Sequence, residues 1–194
     1  GIGLILALTA TPVLISRAVQ TGDGAFVLGA SVFSVTMILL YLASTVYHYL
    51  PQGNLKSLLS RIDHCAIYLF IAGTYTPFTL GVFRGFWGWV LLAAIWAVAA
   101  AGVALKVFAN RPHPILSTTT YLVMGWLILI FIKPFMALLS AQGIFWLVAG
   151  GVAYSLGVIF FVLDSRFKYS HFIWHLFVIL GTVCHFIAIY YHAA

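Results

Sequence analysis

The sequence predicts an all-α membrane protein built as a seven-transmembrane-helix bundle, and three observations carry that prediction. Of the 194 residues, 64% are hydrophobic and only 6% charged, whereas a soluble domain carries about a quarter charged residues. The mean hydropathy is +1.13. Breakers divide the chain into seven apolar runs, at about 1–19, 25–50, 62–81, 86–108, 115–133, 137–163 and 171–192. Each is close to the roughly 20 residues that one helical span requires, and none alternates as a membrane barrel strand would. Residues 1–194 therefore read as a single transmembrane domain with no room for a soluble one.

The first run, "GIGLILALTATPVLISRAV", has no positive region before it and no small-residue cleavage site after it. It reads as a first span and not a signal peptide, and its abrupt start suggests that upstream residues are missing. The second lies between "QTGDG" and "PQGNLKS", and the third runs on to "FRG". Within the third, Gly73 and Pro77 of "GTYTP" are expected to bend the helix. The fourth ends at "NRPHP" and carries Ala93, Ala97 and Ala101 at four-residue spacing, a stripe that would let helix backbones approach. The break between the fifth and sixth is expected at "KPF". The sixth carries a similar stripe, Ala149, Ala153 and Gly157, and "DSRFKYS" precedes the seventh.

A net charge of +6 would suggest nucleic acid in a soluble protein. Here the basic residues mostly separate apolar runs and form no patch interleaved with aromatics, which sets nucleic acid aside and leaves membrane lipids as partners. The even connections carry Lys56, Arg61, Lys106, Arg111, Arg166 and Lys168, and the odd ones Arg17, Arg84 and Lys133. Positive charge favours the cytoplasmic side, so the N-terminus is expected inside and the C-terminus outside. Cys65 lies near the start of its span and Cys184 more than half way along another entered from the same side. Their depths differ by roughly 15 Å, too far for a disulfide, so both are expected to be free, buried thiols.

Polar groups inside spans are costly and usually functional. "STVYHYL" places Ser44 and His48 four apart on one face near the inner end of the second span. Asp63 occupies the first turn of the third, and His171 and His175 share a face at the inner end of the seventh. Three elements distant in sequence thus bring three histidines, a serine and a carboxylate to one membrane level. Histidines at i and i+4 suit one metal ion, and a third from another helix completes a three-nitrogen site like that of catalytic zinc centres. Asp63 would serve as a further ligand or as a base, and Ser44 would hydrogen-bond a bound water, Asp63 or a reacting oxygen.

The other histidines suit other tasks. His64 points about 100° away from Asp63 and suggests an interhelical hydrogen bond. His185 lies roughly 20 Å along the helix from His171, which suggests a buried hydrogen bond. His113 reads as a loop residue and His192 as a terminal, interfacial one.

The stretches "LASTVYHYLP", "DHCAIYLFIAGTYTPF", "TYLVMGWL", "GGVAYSLGVIFF" and "HFIWHLFVILGTVCHFIAIY" closely resemble the bacterial hemolysin III family, within the progestin and adipoQ receptor superfamily that includes the adiponectin receptors. The resemblance implies seven helices with a cytoplasmic N-terminus, a multi-pass location in the bacterial inner membrane and a zinc ion near the cytoplasmic face. It implies His48, His171 and His175 as zinc ligands, Asp63 usually linked to zinc through water, and Ser44 as the family's serine. Adiponectin receptors are associated with ceramidase activity, and bacterial members take their name from haemolysis and are linked to membrane homeostasis. Family members usually have a segment ending in "HGIG", where this chain starts at "GIG".

Three functions follow as expectations. The first is a zinc-dependent hydrolase of a lipid amide or ester, since three nitrogen ligands leave a position for water. The second is a receptor-like or membrane-homeostasis regulator whose zinc ties helices together. The third is an oligomeric pore-forming cytolysin, although a pore needs a polar stripe through the membrane and the ionisable residues cluster at one level.

Overall fold

A computed structural model describes residues 1–108 and 114–194; the expectations for His113 and Arg111 fall outside the described residues. The helices are α1 (Ile2–Gln20), α2 (Gly24–Tyr49), α3 (Asn54–Leu80), α4 (Phe86–Phe108), α5 (Pro114–Gly125), a 3-10 segment (Leu127–Phe131), α6 (Ile132–Leu138), α7 (Ala141–Val162) and α8 (Ser170–His192). No strand occurs among the described residues. Among the described residues six segments are long and apolar enough to cross a membrane: α1, α2, α4, the composite Ile115–Leu138, α7 and α8.

The third expected span, α3, falls outside those six, and its position explains its composition. It packs against α2, α4, α5 and α8 and buries Ala66, Phe70, Thr74, Thr76 and Thr79. A helix enclosed by other helices need not present apolar side chains to lipid. Its buried threonines return their hydroxyls to their own backbone, Thr74 Oγ1 to Phe70 O at 2.8 Å and Thr76 Oγ1 to Ala72 O at 2.9 Å, so no donor is stranded. The helix also begins at Asn54, eight residues before the expected 62.

The expected break at "KPF" is not where the chain turns. Pro134 lies in the first turn of α6, where a missing N–H costs no hydrogen bond. The turn falls instead at Ser140, whose hydroxyl accepts from Gly143 N at 3.1 Å and caps α7. The fifth span is itself discontinuous between α5 and the 3-10 segment. Tyr75 of α3 bridges the interruption, donating to Met124 O at 2.8 Å and accepting from Ile128 N at 3.2 Å. Irregular backbone survives at membrane depth when protein groups satisfy it in this way.

The small-residue stripes are corrected too. Ala93, Ala97 and Ala101 are exposed, and α4 buries Gly88, Leu91, Ile95, Ala99 and Gly102. In α7 the buried line runs through Gly143, Gly150, Ala153 and Gly157, so Gly150 takes the place expected of Ala149. Spacing alone cannot tell which of several small-residue lines is inward on a helix that is apolar all round. Gly73 makes room for the Thr36 side chain of α2.

The main core joins Phe26, Phe33 and Met37 of α2, Phe70 and Phe78 of α3, and Ile189 of α8. α1 packs on α2 and α8, and α7 on α8. Away from the histidines, Asp23 caps α2, accepting from Ala25 N at 3.0 Å, and pairs with Arg84 of the α3–α4 connection. Both cysteines are free, with Cys184 buried and Cys65 half-buried.

Candidate metal centre

The histidines are placed by a seam between α2 and α8. Seven residues, two helical turns, separate Tyr41 from His48 and His175 from Thr182. The Tyr41 hydroxyl meets Thr182 Oγ1 at 2.8 Å, and Tyr154 of α7 meets the same oxygen at 2.9 Å. Thr182 spends its own proton on Val178 O at 2.9 Å, so both tyrosines donate to it. This junction of α2, α7 and α8 fixes the register in which the last turn of α2 faces the first turns of α8.

Two turns away, the register brings three imidazoles together. Nε2 of His48 lies 3.2 Å from Nε2 of His171 and 3.3 Å from Nε2 of His175, and the last two are 3.1 Å apart. Among the described residues these three form the group whose potential ligand atoms all lie within 4.8 Å of one another. Three ring nitrogens converging at such range cannot all be protonated without clashing protons, and three bare lone pairs repel. A cation between them removes both problems. Bonds of about 2.0–2.1 Å in a tetrahedral site set nitrogens roughly 3.3–3.4 Å apart, close to the spacing observed, so the donor set fits a small imidazole-loving cation such as zinc.

A fourth residue not expected from the sequence joins them. Nδ1 of His171 lies 3.1 Å from Oδ2 of Asp164, in the α7–α8 connection. A carboxylate accepts, so the proton of the neutral ring sits on Nδ1, which leaves Nε2 as its lone-pair atom toward the other histidines. The available signal was scarcity: Asp164 is one of only three acidic residues in the chain and precedes His171 by seven.

Asp63 and Ser44 stand beside this triangle and not in it. Together with His175 they line a cavity of ≈ 140 Å³ whose other walls include Tyr41, Phe70, Tyr75, Trp126, Phe161 and Val178. Its lining reaches His185 and Gly151, which also line a second, largely apolar cavity of ≈ 80 Å³ continuing toward Phe135 and Ile144. The two together follow the bundle interior away from the histidines.

The remaining histidines resolve as follows. His64 Nδ1 meets Ser60 O of its own helix at 2.6 Å, so the expected interhelical bond is replaced by a local one. His185 Nε2 meets Leu147 O of α7 at 3.2 Å, the buried hydrogen bond expected, while its Nδ1 has no hydrogen-bond partner among the described residues. His192 Nδ1 meets Ser140 Oγ at 2.9 Å and fastens the end of α8 to the cap of α7.

A family model described as haemolysin-III related matches residues 1–186. The chain is 43% identical to Hemolysin-3 of Bacillus cereus over 192 residues, covering 99% of this chain and 87% of that protein. It is 41% identical to the Hemolysin-3 homolog of Bacillus subtilis (strain 168), covering 99% and 90%. It is 30% identical to the human Monocyte to macrophage differentiation factor over 175 residues, covering 83% and 68%. No solved structure matches the chain.

Proposed function

The chain belongs to the haemolysin-III related family of multi-pass membrane proteins, and from that premise we propose that it is an integral membrane zinc protein that hydrolyses a lipid amide or ester, in the manner of a ceramidase. One observation carries the reading: three histidine nitrogens converge, and one of the three residues, His175, lines an apolar cavity together with Asp63 and Ser44. In this reading α3 also crosses the membrane, as the third of seven spans, the N-terminus is cytoplasmic, the C-terminus is outside, and the membrane is the bacterial inner membrane.

His48, His171 and His175 would hold the ion through Nε2. A zinc ion there would polarise a carbonyl and make water available as a nucleophile near neutral pH. Asp63 accepts the proton of the attacking water as its oxygen bonds to the carbonyl carbon. Ser44 donates a hydrogen bond to the carbonyl oxygen as negative charge develops there. When the carbon–nitrogen or carbon–oxygen bond breaks, Asp63 returns the proton to the leaving atom. The apolar cavity takes the hydrocarbon chain and keeps bulk water from the reacting carbon. The position of Asp63 outside the histidine triangle supports a role as base over one as fourth ligand. The apolar walls favour a bound chain over a hydrated pore, since conduction needs a polar lining.

The test measures bound zinc and fatty acid release from a panel of lipid amides and esters. His48→Ala, His171→Ala and His175→Ala should lose both metal and turnover. Asp63→Asn should keep metal and lose turnover by about 10²–10⁴. A zinc-loaded parent protein that releases no fatty acid from any member of the panel would turn the conclusion toward a regulator with structural zinc.

A further inference from the structure

We propose that Asp164 is a positioning residue that locks the tautomer and ring orientation of His171, making the α7–α8 connection a working part of the metal centre. The inference rests on the metal-site reading above and adds a residue to it. Its first support is the 3.1 Å contact from His171 Nδ1 to Asp164 Oδ2. An imidazole whose Nδ1 carries the proton must offer Nε2 as the ligand atom, and Nε2 is the atom that faces His48 and His175. Metal-bound histidines characteristically donate their second ring N–H to a carboxylate or carbonyl, which fixes the ring and raises its basicity.

The second support is that the carboxylate is held and not loose. Exposed ion pairs contribute little because both side chains must be ordered at an entropic cost. Here the backbone is already folded into turns: Asp164 N reaches Phe161 O at 3.3 Å, Arg166 N reaches Leu163 O at 2.9 Å, and Ser170 N reaches Phe167 O at 3.1 Å. Ser170, buried at the start of α8, donates from Oγ to Phe160 O at 2.8 Å. That bond fastens the first turn of α8, next to His171, to the end of α7. Asp164 and His171 are therefore presented to each other by one hydrogen-bonded unit.

The experiment compares the full-length parent with Asp164→Ala, Asp164→Asn and His175→Ala in detergent. Zinc affinity is measured by competition with a chelator, and the His171 tautomer by ¹⁵N NMR of histidine-labelled, metal-free protein. Asp164→Ala should weaken zinc binding about 10–100-fold and let His171 populate the Nε2–H form. Asp164→Asn keeps an oxygen that accepts from Nδ1 and should fall between parent and alanine variant. The metal-free melting temperature should match the parent in both Asp164 variants, which separates positioning from a fold defect. If His175→Ala abolishes zinc binding while Asp164→Ala binds within twofold of the parent with an unchanged tautomer, Asp164 has no positioning role. If His175→Ala also retains zinc, the metal reading itself fails.

Discussion

Three acidic residues, Asp23, Asp63 and Asp164, serve the whole chain, and their surroundings differ sharply. Asp23 caps α2 and pairs with Arg84, Asp164 accepts from His171, and Asp63 faces an apolar cavity. A carboxylate in such a cavity is costly, and a cost of that kind is usually kept for function, which is why the base is assigned to Asp63. Ser44 lies on the same wall, one turn from His48. If it donates to the developing oxyanion, Ser44→Ala should lower kcat about 10²–10³-fold with KM nearly unchanged, measured by fatty acid release at saturating substrate. The three histidines were legible because spacing within a helix is local information. Asp164 was not, because its contact depends on how a connection folds back.

At the scale of elements, the sequence located the apolar runs but misplaced some of their faces and one of their breaks. Lipid is as apolar as a helix interface, so hydrophobicity does not say which side of α4 or α7 is buried. Contact geometry does. A Cβ at Gly157 would stand 2.9 Å from Phe177 Cβ and 3.1 Å from Trp174 Cε3 of α8. Gly157→Leu should therefore destabilise the bundle by about 1–3 kcal/mol through overpacking, while Ala97→Leu on the exposed face of α4 should stay within about 0.5 kcal/mol. Thermal unfolding in detergent distinguishes them. The seam between α2 and α8 gives a gentler case. Tyr41→Phe removes one of two donors to Thr182 and strands no buried atom, so its cost should be about 0.6 kcal/mol, typical of hydrogen bonds between membrane helices. The same assay reads it.

For the molecule as a whole, the proposed metal would join α2 to α8, elements far apart in sequence. Binding at a hundredfold excess over Kd stabilises by about 2.7 kcal/mol, or roughly 5–10 °C in melting temperature for a chain of this size. Chelation should lower the parent's melting temperature by that amount, and zinc should restore it. His48→Ala should melt at the same temperature with or without chelator. The paired cavities make a second global prediction. Gly151 lines both, so Gly151→Leu should narrow their junction and reduce turnover of long-chain lipids at least tenfold. Short-chain substrates and zinc content should be spared, as read by chain-length profiles and metal analysis.

By itself the sequence determined the membrane class, the apolar runs and the histidine pair on one face of α8, and it named His48, Asp63 and Ser44 as that pair's expected neighbours. These follow from composition and from the helical period, both of which act over a few residues. Only the tertiary structure decided that α3 is enclosed by other helices, that the fifth span is broken and bridged by Tyr75, that three Nε2 atoms converge while Asp63 stands aside, and that Asp164 faces His171. The physical reason is that these contacts join elements whose facing sides are chosen by steric fit and hydrogen-bond satisfaction, and neither is written in the hydropathy of a chain that is apolar on nearly every side.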